Sequence, residues 1–165
     1  MKRKITLFVS AAAPLATALI VAGCGSSYSS GPYGSAGEAN AADGAAGVGV
    51  ADSPLGRVVV GNDGRTLYLF EKDKNRRSAC YGQCAKYWPP LLTQGKPVAH
   101  AGVKQLLLGT TRRSNGSEQV TYAGHPLYRF LDDLKPRQTK GDGSEEFGAE
   151  WDVLSPAGKG IASDD

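Results

Sequence analysis

Apolar and polar positions divide the chain into three unequal stretches. The first is a run of nineteen uncharged residues, Ile5 to Gly23, broken once by Pro14 and preceded by Lys2-Arg3-Lys4. It closes on Leu19-Ile20-Val21-Ala22-Gly23-Cys24, with small residues directly before a cysteine. A positive segment, an apolar core and a small-small-Cys junction are what a bacterial lipoprotein signal peptidase requires. Its pocket admits small side chains, and the cysteine thiol must already carry a diacylglyceryl group. A run of this length lies near the lower limit for spanning a bilayer, but its Ala- and Thr-rich composition and its cysteine junction favour cleavage. The expectation is a signal peptide over residues 1–23, with Cys24 lipidated as the first residue of the mature chain. At about 0.8 kcal/mol per buried CH₂, two or three acyl chains hold a protein of this size on the membrane.

The second stretch, residues 24–52, is almost all Gly, Ser and Ala with few charges and reads as having no sustained strand-like or helical period. Such a composition buries too little surface to offset its ordering entropy and reads as a flexible tether. The third stretch, residues 53–165, carries the β pattern. Val58-Val59-Val60 and Thr66 to Phe70 flank the turn signal Gly61-Asn62-Asp63-Gly64, which predicts a hairpin. Leu107 to Arg113 and Gln119 to Tyr122 flank Ser114-Asn115-Gly116, a second hairpin. Ala123-Gly124 then turns the chain into Leu127 to Phe130, and Trp151 to Leu154 reads as a closing strand stopped by Ser155-Pro156.

These strands repeat. Gly64 to Asp73 aligns without a gap on Gly124 to Asp133, with Gly, Leu, Tyr, Phe and the last Asp coinciding. Val60 and Val120 fall in the same register, and Trp88 and Trp151 come late in each half. Strand alternation puts Tyr68 with Phe70, and Tyr128 with Phe130, on one face, the expected common core. The other face holds Leu67 and Leu69 in the first copy but Leu127 and Arg129 in the second, so it is expected to be partly wet there. The predicted fold is mainly β, a small antiparallel sandwich-like domain with pseudo-twofold character. One short helix interrupts it, capped by Ser78 and stopped by Pro89-Pro90, and it carries Cys80 and Cys84 on one face.

Several motifs in one order resemble a bacterial family of secreted or lipoprotein repeats of unknown function. They are Asp63-Gly64, Thr66-Leu67-Tyr68-x-Phe70 with Asp73, Cys80-x3-Cys84-Ala85, Trp88-Pro89-Pro90, Leu108-Gly109-Thr110, Gln119-Val120-Thr121-Tyr122, Gly124-x-Pro126-Leu127-Tyr128-x-Phe130 and Gly148-x-x-Trp151. The resemblance spans about residues 58–158. It implies an extracytoplasmic location and a doubled unit, and it implies no reaction.

Charge narrows the partners. Removing Lys2, Arg3 and Lys4 leaves 16 basic residues against 16 acidic ones, so the mature chain is formally neutral. With no basic tract, nucleic-acid binding is not expected.

The candidate chemistry is sparse. Outside the cytoplasm Cys80 and Cys84 are expected to form a structural disulfide. Its small loop would contribute only about 2 kcal/mol, stapling a turn rather than the fold. The alternative is a redox couple or a soft-metal site, which Cys-x3-Cys with a distant His superficially resembles. A c-type haem needs a His directly after its second Cys, where this chain has Ala85, and no Met follows the initiator. His125 opens the second repeat strand where the first copy has Arg65, and both are candidate ligand or binding residues. Tyr68, Tyr128, Trp88 and Trp151 could form a stacking or electron-hopping cluster, or simply fill the core of a small β domain. His100 sits in a Pro/Ala/Gly loop. Asp73 and Asp133 are read as turn caps, and Asp142 to Glu146 as a solvated acidic loop. No cofactor, catalytic constellation or metal site is expected. The leading function is a non-enzymatic envelope binding module tethered through Cys24 to the cell membrane, with an unidentified envelope component or protein as partner. The alternative is a redox, electron-transfer or metal- or haem-handling lipoprotein using Cys80/Cys84 or His125.

Overall fold

A computed structural model describes residues 44–161. Cys24, the signal segment and most of the tether lie outside the described residues. The β structure begins inside the stretch read as tether. Strand β1 runs Gly47–Ser53 and pairs antiparallel with β2, Gly56–Gly61, so that Gly49 faces Val60 and Ala51 faces Val58. Val48 and Val50 alternate with Gly47 and Gly49, a period-2 signal too short to stand out from the Gly-rich stretch before it; cross-strand partners complete the strand.

Strand β3, Tyr68–Phe70, pairs with β8, Trp151–Val153; β4, Val98–Ala99, lies parallel to β1. Strands β5, Leu108–Arg112, β6, Glu118–Tyr122, and β7, His125–Pro126, form a three-stranded antiparallel sheet. The second hairpin and the closing strand thus stand where the sequence placed them, but the strand after Ala123-Gly124 is His125–Pro126, and the expected run Leu127 to Phe130 holds only isolated bridges at Tyr128. The first hairpin is shorter than expected. Val60 bridges Thr66 and the Leu67 amide donates to Val59, but β3 then leaves to pair with β8.

Reciprocal exchange relates the two copies. The Leu154 amide donates to Leu67 while Val59 donates to Leu154; the Leu91 amide donates to Leu127 while Val120 donates to Leu91. Each copy therefore lends its late segment to the hairpin of the other. Tyr68 and Tyr128 bond each other in both directions, at 2.9 and 3.1 Å, and mark the pseudo-twofold axis. This frame corrects the register read from sequence. Five residues (61–65) separate the Val60–Thr66 bridge, but four (122–125) separate Thr121 from Pro126. Val59, not Val60, is therefore the counterpart of Val120, and both lie in the same apolar cluster.

The repeat strand is buried on both faces. Leu67, Leu69 and Leu127 pack with Val48, Val59, Val120 and Tyr122 in one cluster. Tyr68, Phe70 and Tyr128 pack with both tryptophans and the cysteines in the other. The face expected to be partly wet is thus a second core, and Arg129 leaves it to pair with Asp63 at 3.3 Å. The helix α1 is a single turn, Cys84–Tyr87, without a side-chain cap. Gly82 has φ +57°, which ends any helical path between the two cysteines, and Ser78 turns inward instead of capping.

Candidate functional site at the repeat axis and the arginine face

Two places concentrate chemistry: the buried centre around the axis and an exposed edge beside it. At the axis the rings of Phe70, Trp151, Trp88 and Phe130 form one column. Successive centroids are 3.9, 4.0 and 4.5 Å apart, and the first two pairs are within 7° of parallel. Tyr68 stands edge-on to Trp88 and Tyr128 edge-on to Trp151. Each such pair contributes about 0.5–1.5 kcal/mol beyond its buried area. Both indole N–H groups end on Glu146, Trp88 on the carboxylate at 3.3 Å and Trp151 on the carbonyl at 2.9 Å. Gly141 closes the column, since a Cβ there would lie 2.5 Å from the Trp88 ring.

The tyrosine hydroxyls cross between copies. Tyr68 donates to Asp133 at 2.5 Å and accepts the Gly141 amide; Tyr128 donates to Asp73 at 2.8 Å, with Ser78 Oγ 2.7 Å away. The acids are held in turn by main-chain amides, Ala79 on Asp73 and Lys140 on Asp133. Both aspartates thus cap a turn and also accept a proton donor from the other copy, which sequence spacing alone does not show. Burial raises the Asp73 carboxyl to about 6, against the opposing pull of the Ala79 and Tyr128 hydrogen bonds. Burial also raises Asp133 above the usual carboxylate range. Both phenols are held protonated, first by burial and then by the acid beside each. Tyr68, Tyr128, Trp88 and Trp151 are inaccessible to solvent, so they form the keystone of the fold, not a contact surface.

A disulfide joins Cys80 and Cys84 with 5.2 Å between their Cα atoms. Arg113, unremarked in the sequence, fixes that loop. Although buried, it donates to Gln119 Oε1, to Ser78 Oγ at 2.7 Å and to the Cys80 carbonyl at 2.6 Å, and it lies 4.4 Å from the Tyr81 ring centre. The planar guanidinium reaches these acceptors from two nitrogens held in fixed relation, where an ammonium would donate from a single atom. The only hint in the sequence is a basic residue at the end of an amphipathic strand. Arg65 reaches across the axis to donate to the Phe130 carbonyl at 2.8 Å, so it ties the copies together. His125, half-buried in β7, pairs through its backbone with Tyr122. His100 bonds Asn62 at 3.0 Å. Neither lies in a group of three or more His, Cys, Asp or Glu placed to hold a metal among the described residues.

The exposed feature is cationic. A tight turn with positive φ at Asn75 and Arg76 presents Arg76 and Arg77 beside β5, and Arg112 projects from the strand itself. Cavities of 310, 360 and 550 Å³ run along this strand, and all three are lined by Thr110. Among the described residues none of these three arginines makes an ion pair. Glu118 is the acid that lines this edge.

Comparison with known proteins agrees with the doubling. No curated protein and no solved structure matches the chain. Two segments, residues 49–92 and 109–155, each match one family model, so β1 and β5 stand at equivalent positions at the head of each copy. More than half of the chain is covered by these two matches, and it belongs to the family described as a secreted repeat of unknown function.

Proposed function

We propose that the protein is a lipid-anchored binding module of the bacterial cell envelope. Cys24 holds it at the extracytoplasmic face of the membrane, and the arginine face beside β5 recognises an anionic envelope component. The carrying observation is where the chemistry sits: the aromatic residues picked from the sequence are buried at the repeat axis, while Arg76, Arg77 and Arg112 stand exposed without ion pairs. Unpaired cations beside a set of cavities favour a ligand of opposite charge and accelerate its encounter at low ionic strength. The family description places the chain among secreted proteins, and the n-region, apolar run and cysteine junction support the anchor.

The test uses the intact chain expressed in a lipid-modifying bacterial host. Wild-type protein should partition into the detergent phase of a Triton X-114 separation, and Cys24→Ser should move to the aqueous phase. Labelled polyglutamate should bind the wild type at low salt and lose about tenfold in affinity in the Arg77→Glu/Arg112→Glu variant. Unchanged partitioning removes the anchor; polyglutamate binding that ignores both charge reversals removes the recognition face.

A further inference from the structure

The two copies differ at one place that bears on recognition. In the first, the outer edge of β1 is covered by β4: Val98 donates to the Ala46 carbonyl and His100 to the Val48 carbonyl, at 2.9 and 2.8 Å. In the second, β5 is the outermost strand of its sheet among the described residues. Gly49 of β1 faces Val60 as Gly109 of β5 faces Thr121, so the two strands present the same edge. The hydrogen bonds that flank the β5–β6 ladder, Ala123 to Leu107 and Arg113 to Ser117, set its phase. By the alternation of an antiparallel ladder, Gly109 and Thr111 turn their backbone groups toward β6, and Leu108, Thr110 and Arg112 turn theirs outward. The Leu108 carbonyl stands where the Val48 carbonyl takes a hydrogen bond from β4.

We propose that this edge of β5 is a strand-addition site for an extended acidic segment of a partner polypeptide, which lies along β5 as β4 lies along β1. The inference rests on the binding reading above and names its partner. An unpaired strand edge is a template for another chain, and here the side chains around it select which one. Arg76, Arg77 and Arg112 flank the edge, and Glu118 is the acid among its lining residues. Leu106, 98 % exposed in the turn just before the strand, offers one apolar contact. A second copy of the chain is a poorer occupant. Pairing β5 with β5 would gather the exposed Arg76, Arg77 and Arg112 of both copies at one seam, and concentrated like charge opposes association.

The full chain is titrated, in detergent, with a fluorescein-labelled hexapeptide of alternating Val and Glu, and anisotropy is read at low salt. Three comparisons are made: a probe N-methylated on alternate residues, a probe with Lys in place of Glu, and the Thr110→Pro protein. The Thr110 amide faces outward, so proline removes no bond within the sheet, and edge strands accept proline. N-methylation leaves the protein untouched and keeps the test valid should Thr110→Pro fail to fold. The plain probe should bind, the methylated probe should lose about tenfold or more, the Lys probe should lose a similar factor, and Thr110→Pro should match the methylated probe. Equal binding of plain and methylated probes, no binding up to about 1 mM, or a dimer of the chain that Thr110→Pro abolishes each overturns the proposal. If polyglutamate still binds in those cases, strand addition fails while the anionic-ligand reading stands; loss of polyglutamate binding as well removes both.

Discussion

At the residue scale, the repeated Tyr-x-Phe-x-x-Asp motif is explained by pairs formed between copies: Tyr68 with Asp133, and Tyr128 with Asp73. Within one copy the spacing looks like an aromatic strand followed by a turn cap, and that much was legible. The destination of each hydroxyl was not, because the partners lie 65 and 55 positions apart in the chain. The two pairs are not equal in what surrounds them. Tyr68 also accepts the buried Gly141 amide, whereas Tyr128 has Ser78 beside it. Removing the Tyr68 hydroxyl therefore leaves two buried groups without their partner, whereas after removal of the Tyr128 hydroxyl Ser78 keeps its bond from Arg113 and Asp73 its bond from the Ala79 amide. Tyr68→Phe is expected to destabilise by about 2–4 kcal/mol and Tyr128→Phe by about 1–2 kcal/mol, read from urea midpoints at constant slope. Equal losses would show that the second partner of each hydroxyl is immaterial.

At the element scale, β8 shows how a strand carries a charge into a small core. Trp151 and Val153 point to the aromatic cluster, and Asp152 between them is buried. Burial first, then the charges of Glu150, Glu71 and Asp142, raise its carboxyl to about 6. The folded protein thus holds this proton more tightly than the unfolded chain, where the value is near 3.8. Stability from this group is greatest below the unfolded value and declines as pH rises through the window up to about 6. Asp73 has the same sign. Asp152→Asn should therefore raise Tm at pH 7.5 by a few degrees, with the gain falling as pH drops from about 6 and vanishing only below the unfolded value of 3.8. Thermal melts at several pH values check this, and a gain undiminished below the unfolded value of 3.8 would contradict it. The helix segment teaches a related lesson. The cysteines were legible as a clip, but the length of the helix was not, because Gly82 breaks it and Arg113, from another strand, holds the loop instead.

At the scale of the whole molecule, the copies are interlocked rather than stacked: Leu91 completes the hairpin of the second copy and Leu154 that of the first. The ring column likewise draws Phe70 and Trp88 from one copy and Trp151 and Phe130 from the other. Neither half can satisfy its backbone or bury its tryptophan alone. Fragments 44–104 and 105–165 should each lack near-UV circular dichroism as monomers, and an equimolar mixture should regain it; native spectra from either fragment alone as a monomer would refute the interlock. The sequence by itself determined the β pattern, the turns, the doubling and the tryptophan of each copy, because alternation, Gly-Asn-Asp signals and spacing are local properties of the chain. Tertiary structure alone decided that Gly47–Ser53 pairs with both β2 and β4, that Val59 rather than Val60 answers Val120, that the hydroxyls cross the axis, and that β5 keeps an open edge. Each of those depends on which distant segment supplies the hydrogen-bond partner, and a partner chosen through space leaves no mark in the local order of residues.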